Sequence, residues 1–392
     1  MMSKACALIY SDSYQGYELS PTHPMKPARL MLTYELMRGC GLLKTGVEVV
    51  EPRAATEAEL ELIHSREYIA KVKQLSEPAA PAAAGSGWGL GTGDNPIFPR
   101  MHEASALIAG ASVTAASLVM EGAAEHAFNM AGGLHHALRA RASGFCVYND
   151  AAIAIAWLKQ RYGARVLYID IDAHHGDGVQ YAFEADPDVL TVSFHESGMY
   201  LFPGTGFTNE TGSGAGLGYA VNLPLPPGAG NSEFLEAFEA LVPPLARAFK
   251  PDIIVTQDGC DAHWSDPLSH LALTVSGFRE LFERQHRLAH ELTGGRWLAL
   301  GGGGYQAYTA VPRVWTVLLG VMSGQEPPEE LPEEWRRLCA RFESGPVPRR
   351  LSEDESPALP AAEAERIRGS VATSIEEVKK GVAPKLKAAA GF

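Results

Sequence analysis

Val166-Leu167-Tyr168-Ile169-Asp170-Ile171-Asp172-Ala173-His174-His175-Gly176-Asp177-Gly178 is the stretch on which the reading of this chain turns. It opens as a nearly continuous apolar run, the pattern of a strand covered on both faces. It closes as a dense cluster of carboxylates and imidazoles. So many ionisable groups beside an apolar strand need a reason, because burying them unpaired is costly. Residues two apart at a strand end point to the same side, so Asp172 and His174 can present a carboxylate oxygen and an imidazole nitrogen together. That is half of a divalent-metal site. A turn residue or helix cap is the competing reading of either side chain.

The same pattern repeats outward. Short apolar runs stand at Cys6–Tyr10, Val189–Phe194, Ala220–Leu225, Ile253–Gln257 and Trp297–Leu300. Helical patterns lie between them at Pro27–Gly39, His102–Met120, Asp150–Arg161, Ser232–Phe249 and Ser276–Leu292. Strands alternating with helices predict an α/β fold, a mostly parallel sheet with helices on both faces. In such sheets ligands bind beyond the carboxyl ends of the strands, where the polar clusters fall here. The stretch Pro78–Pro99 is long, aperiodic and rich in Ala, Gly and Pro, and reads as a rim or lid or as a surface insertion. From Pro346 the composition shifts to Pro, Ser, Glu and Ala, followed by a charged helical pattern over about 361–387. This divides the chain into a catalytic domain, 1–345, and a linker with a peripheral C-terminal helix, 346–392.

Bulk properties exclude several classes. With 46% hydrophobic and 20% charged residues over 392 positions, the chain can bury a large core and is not a disordered chain. Five scattered cysteines with no paired spacing, and no secretory signal, predict a reducing cytoplasm without a disulfide framework. Apolar runs are soon broken by charge, Gly or Pro, so no membrane is expected. A net charge of −13 argues against nucleic acid as a partner.

The next metal candidate is Asp261, reached after Ile253–Gln257 through Asp258-Gly259-Cys260. Asp172, His174 and Asp261 would be three protein ligands with one open position, the layout of a catalytic rather than a structural zinc site. A second cluster is Gly132-Gly133-Leu134-His135-His136, followed by Gly144-Phe145-Cys146-Val147-Tyr148-Asn149-Asp150. A third is Gly301-Gly302-Gly303-Gly304-Tyr305. It lacks the P-loop lysine and fits no dinucleotide fingerprint, so it reads as a flexible arm that places one tyrosine hydroxyl.

His135-His136, Gly144–Asp150, Tyr168–Gly178, Thr191–His195, Phe202–Gly206 and Gly301–Tyr305 together resemble the zinc-dependent histone deacetylase family. His23–Pro27, Gln257–His263 and Asp266–His270 are most similar to its bacterial acetoin-utilization members. The likeness runs in order over residues 5–320 and is absent after Pro346. It implies an arginase/deacetylase-like fold with a single sheet of about eight strands. It also implies a metal-dependent hydrolysis of the amide of N6-acetyl-lysine in proteins. By this resemblance Asp172, His174 and Asp261 hold zinc or ferrous iron. His135 and His136 are the catalytic pair, with Asp170 and Asp177 as their carboxylate partners, and Tyr305 is the oxyanion donor. Phe145 and Phe202 wall an acyl-lysine tunnel, with Gly144, Gly303 and Leu268 also at the substrate. Asp94 matches a rim carboxylate that holds substrate backbone amides. Arg29 matches an arginine near an internal acetate cavity, a helix-surface arginine being the other reading. Potassium sites are implied at Asp170, Asp172, His174, Ser193 and Phe194, and at Phe183, Asp186, Val189 and Tyr219. Asp186 there replaces a more usual neutral residue. Acetylated metabolic enzymes such as acetyl-CoA synthetase are the implied partners.

Three rivals remain to be weighed. A binuclear ureohydrolase of the arginase type needs a further carboxylate four positions after Asp172, and Gly176 stands there. An acetylpolyamine amidohydrolase uses an acidic gatekeeper where this chain has Leu268. A catalytically dead acyl-lysine binder would be expected to have lost a ligand, the histidine pair or the tyrosine.

Overall fold

In the computed structural model, which describes residues 4–77, 81–353 and 356–392, the run Val166–Asp170 is a wholly buried strand inside a single eight-stranded sheet. The strands are β1 (Lys4–Ile9), β2 (Val47–Val50), β3 (Ala124–Asn129), β4 (Val166–Asp170), β5 (Val189–Glu196), β6 (Ala220–Leu225), β7 (Ile253–Gln257) and β8 (Trp297–Leu300). Their order is β2-β1-β3-β8-β7-β4-β5-β6 and every pairing is parallel. Register brings the ends of the central strands level. Asp170 lies beside Gln257 on one side and Ser193 on the other, and Gln257 beside Leu300.

Burial on both faces explains the largely apolar character of β4, β5, β7 and β8, each buried along its whole length. Two strands carry no such run. β2 is a partly exposed edge, and β3 holds Glu125, His126 and Asn129 among its six residues. Two of its polar side chains are buried and paired: Asn129 bonds Ser112 and the Ile108 carbonyl, and His126 the Gly295 carbonyl, while Glu125 is partly exposed. A reading that looks for apolar runs passes over such a strand.

Five covering helices match the periodic segments closely, Ala28–Gly39, Met101–Met120, Asp150–Tyr162, Asn231–Phe249 and Val275–Thr293, and a further helix, Ala310–Ser323, joins them. Met101–Met120 is long and apolar enough to cross a membrane by length and composition, but most of it is buried here against β3, β1 and the helix Asp150–Tyr162. The helices Ala361–Gly381 and Pro384–Ala390 lie over β6 and the helix Asn231–Phe249, burying Ile367, Val371, Ile375, Val378 and Leu386. Ahead of them, Glu353 accepts from Arg313 and pairs with His263, so this segment is tied to the core. Of the stretch 78–99, residues 78–80 lie outside the described residues. The rest is pinned: Ala142 donates to the Trp88 carbonyl, Trp88 stacks on Tyr68, and Leu90 and Phe98 are buried.

Candidate active site

The polar clusters meet beyond the carboxyl ends of β3, β8, β7 and β4. After β3 the chain turns back sharply, and the first residue of the helix Asp150–Tyr162 holds that turn. Asp150, fully buried, accepts from the amides of Gly133 (3.0 Å) and Leu134 (2.7 Å) and from Ser112 Oγ (2.6 Å). A Cβ on Gly132 would stand 2.4 Å from that carboxylate, so only glycine fits. Asn149, the helix N-cap, donates Nδ2 to the carbonyls of His135 and Ala137, both at 3.0 Å. One helix start thereby fixes the two histidines.

Each histidine has its own carboxylate. His135 Nδ1 is 2.8 Å from Asp170 Oδ2, and His136 Nδ1 is 2.7 Å from Asp177 Oδ1. Carboxylates only accept here, so both Nδ1 atoms carry hydrogen and both Nε2 atoms turn inward, 3.1 Å apart. The protein's charges separate the pair. Burial opposes the charged form of His135, but Asp170 and then Asp172 override it and raise the group to about 9. Burial and the neighbouring His135 charge push His136 down to about 4, against the pull of Asp177. Two titratable groups driven apart in this way are suited to opposite proton-transfer roles.

Asp172, His174 and Asp261 form the second constellation. His174 Nδ1 lies 3.1 Å from Asp172 Oδ1 and 2.9 Å from Asp261 Oδ2, and all three side chains are buried. Each carboxylate is aimed by other donors. Asp172 Oδ2 accepts from Gln257 Nε2 and the Gly303 amide, each at 2.7 Å, and Asp261 Oδ1 accepts from the Ala173 amide at 2.7 Å. The cradle depends on glycine: a Cβ on Gly303 would stand 1.9 Å from Asp261 Oδ2, and one on Gly259 2.1 Å from Asp172 Oδ2. Two carboxylate oxygens and one imidazole nitrogen converging at such distances fit a divalent transition ion. The adjoining His175 turns away, bonding Thr205 and Gln180.

Above this floor is a cavity of about 220 Å³, lined by Asp94, His136, Gly144, Phe145, His174, Leu201, Phe202, Leu268 and Tyr305. Most of the wall is apolar, with His136, His174 and Tyr305 the polar groups inside. Phe202 edges onto His136 with ring centres 5.0 Å apart, and Phe145 onto Tyr305 at 5.6 Å. Phe145 is held at φ 69°, an uncommon backbone for a bulky residue, with its carbonyl accepting from Tyr17 at 2.8 Å. Asp94 is exposed at the mouth, its carbonyl 3.2 Å from His23 Nε2. Burial, then Asp261 and Asp172, hold the Tyr305 phenol well above its usual range, so it stays a donor.

Other sequence candidates fall around this centre. Arg29 is buried and donates to the carbonyls of Gly302 (2.8 Å) and Gly304 (3.0 Å), strapping the glycine arm from behind. Gly303, expected beside substrate, contacts both carboxylates of the metal-type cluster. Asp170, Asp172, His174, Ser193 and Phe194 gather at the ends of β4 and β5, whereas Phe183, Asp186, Val189 and Tyr219 surround the start of β5. The Asp186 carboxylate is engaged by Lys159 Nζ at 2.5 and 2.6 Å. Three residues had no assigned role in the sequence reading. Leu201 completes the wall, Gln257 bridges Asp172 and the Gly133 carbonyl, and Asp266 accepts from the amides of Tyr305, Gln306 and Leu268. A polar last residue on a buried strand was the available signal for Gln257; Asp266 sat unremarked in a quoted motif.

Residues 23–322 match the model of the histone deacetylase domain. The chain is 49% identical over 327 residues to the acetoin utilization protein AcuC of Bacillus subtilis, covering 83% of this chain and 84% of that protein. It is 42% identical over 345 residues to AcuC of Staphylococcus aureus strain MRSA252, covering 88% of each. Among solved structures it is similar to a histone deacetylase homolog from Aquifex aeolicus, with a TM-score of 0.83, 33% identity, and coverage of 94% of this chain and 99% of that one. The same figures hold for a histone deacetylase homolog complexed with SAHA.

Proposed function

Since the chain belongs to the histone deacetylase family and is a deacetylase, a hydrolase, we propose that it removes acetyl groups from the N6-acetyl-lysine side chains of proteins. The observation that carries this choice of substrate is the cavity itself. It is walled by Phe145, Phe202, Leu201 and Leu268, with polar groups only at its mouth and floor. Such a tube suits the apolar four-carbon stem of lysine, and Leu268 in its wall offers no charge to a second ammonium. Asp94, exposed at the mouth, would accept from the amides of a peptide backbone.

In this reading Asp172, His174 and Asp261 hold a divalent ion, zinc with ferrous iron as the alternative. When bound, that ion supplies Lewis-acid polarisation of the acyl oxygen and acidifies a water. The remaining steps belong to side chains. Asp177 keeps the proton of His136 on Nδ1, leaving Nε2 as the neutral acceptor that takes a proton from water. His135, kept charged by Asp170, faces it across 3.1 Å, so the pair can return a proton to the departing lysine amine. Tyr305 donates its hydroxyl where negative charge grows on the acyl oxygen. The apolar walls exclude bulk water and strengthen each of these contacts.

We further assign the enzyme to the cytoplasm, with potassium at one or both of the backbone-lined positions beside β5. Acetylated metabolic enzymes such as acetyl-CoA synthetase are its expected targets, in keeping with relatives named for acetoin utilization. The deciding experiment measures acetate release from an acetyl-lysine peptide beside acetylspermidine, each with and without a chelator. Chelator-sensitive turnover of the peptide is the expected result. Turnover of acetylspermidine alone would overturn the substrate assignment.

A further inference from the structure

A second group of histidines gathers far from the cavity, at the amino ends of β3 and β8. His126 comes from β3, and His286 and His290, four apart on one face, come from the helix Val275–Thr293. His126 is buried, His286 partly buried and His290 exposed, so the group opens to solvent on one side.

The hydrogen positions at this group can be derived. His126 Nδ1 is 2.7 Å from the Gly295 carbonyl, which can only accept, so Nδ1 carries the hydrogen and Nε2 is a bare lone pair. His286 Nε2 stands 3.1 Å from that lone pair and 2.9 Å from His290 Nε2. If His286 Nε2 carries a hydrogen, that one hydrogen has to serve both neighbours. If it does not, it meets the His126 lone pair with its own. Protons therefore leave one of the two contacts poorly satisfied, whereas a cation accepting three lone pairs satisfies both. Burial, with the His286 charge next, lowers His126 to about 3, and burial with the His290 charge lowers His286 to about 4, so both rings are neutral ligands at neutral pH.

We propose that His126, His286 and His290 form a second metal site that binds a divalent transition ion of the zinc class through three Nε2 atoms and clips the helix Val275–Thr293 to β3. Zinc–nitrogen bonds of about 2.0–2.1 Å in a tetrahedron put ligand atoms roughly 3.3 Å apart, a small outward adjustment from the spacings here. An all-imidazole donor set suits zinc, nickel or copper and not calcium or magnesium. The arrangement has the supports of a ligand set. The Gly295 carbonyl fixes the His126 ring, Glu125 Oε1 lies 3.6 Å from His290 Nδ1, and the Trp297 ring packs against both His126 and His286. The fourth position faces solvent and would be filled by water.

The test is a zinc count on the untagged full chain, titrated with zinc chloride against a competing chromophoric chelator. Wild type should bind two equivalents. His286→Ala/His290→Ala should bind one and keep its deacetylase turnover, because neither residue touches the cavity. Asp261→Asn should also bind one, retaining the histidine site while losing turnover. His290→Ala alone, at an exposed position, guards against a folding defect and should likewise drop the count from two to one. A wild-type count that stops at one, with the count unchanged in the histidine variants, would overturn the proposal, as would a count of two that survives in both histidine variants.

Discussion

Replacing Tyr305 by phenylalanine removes one hydroxyl while leaving the contacts that hold its loop. The Tyr305 amide still donates to Asp266 Oδ2 at 2.7 Å, and the ring still edges onto Phe145 and His174, with centres 5.6 and 6.3 Å away. Arg29 still straps the glycine arm through its carbonyls. The loss is therefore confined to one donor. Removing an oxyanion donor costs about 3 kcal/mol. At about 1.4 kcal/mol per decade that is roughly 150-fold in kcat. KM should move little, because the charge this hydroxyl meets develops only in the transition state. Burial, Asp261 and Asp172 hold the phenol protonated, so the deficit should be constant from about pH 6 to pH 9, below any titration of the hydroxyl. The assay is steady-state turnover of an acetyl-lysine peptide across that range, with bound metal and melting temperature measured on the same samples. A kcat within twofold of wild type, metal content being equal, would refute the role given to Tyr305. So would a deficit that vanishes at one end of the pH range.

Gly303→Ala should be far more damaging to metal retention than its size suggests, since its Cβ would meet Asp261 Oδ2 at 1.9 Å and Asp172 Oδ2 at 2.8 Å. Metal affinity measured by chelator competition should fall by about 10–100-fold, and unchanged affinity would mean the cradle is not required. Leu268→Glu places a carboxylate in the cavity wall and should raise acetylspermidine turnover relative to the peptide; an unaltered ratio of the two kcat/KM values would remove Leu268 from specificity. His64 is buried, with Nδ1 on the Leu138 carbonyl and Nε2 accepting the Asn149 amide, and burial lowers it to about 4. Its folded value lies below the unfolded one, so its contribution is full above about pH 6.5 and is lost as pH falls towards 4, about 3 kcal/mol over that window. Urea unfolding of wild type and His64→Gln should therefore show their stability difference shrinking on acidification through that window; a difference independent of pH would contradict the buried neutral imidazole.

Legibility in the sequence followed burial. β4, β7 and β8 are buried on both faces, so their composition alone marked them, with boundaries within a residue of those observed. β3 is nearly as buried but carries Glu125, His126 and Asn129, the last two buried and paired, and these polar residues hid it. Within the site, Asp172 and His174 were readable as neighbours because two residues along a strand end share a side. The reversal at Gly132–Gly133 was marked by its glycines, but its cause was not, since the Asp150 carboxylate that occupies the space arrives from a helix seventeen residues later.

The chain by itself determined the chemistry on offer: an acid and imidazole pair at one strand end, a histidine doublet after a glycine pair, a tyrosine on a glycine arm, and a parallel sheet whose carboxyl ends would carry them. Those features are local, set by the two-residue period of a strand and by where glycine is tolerated. Tertiary structure alone decided the distances between elements. It brought Asp261 to within 2.9 Å of His174, separated the proton affinities of His135 and His136 through the carboxylates behind them, and turned Arg29 inward as a strap. It also assembled His126, His286 and His290 from a strand and a helix 160 residues apart. Covalent spacing cannot encode such meetings, because they depend on strand order, and order is settled by the packing of the whole sheet.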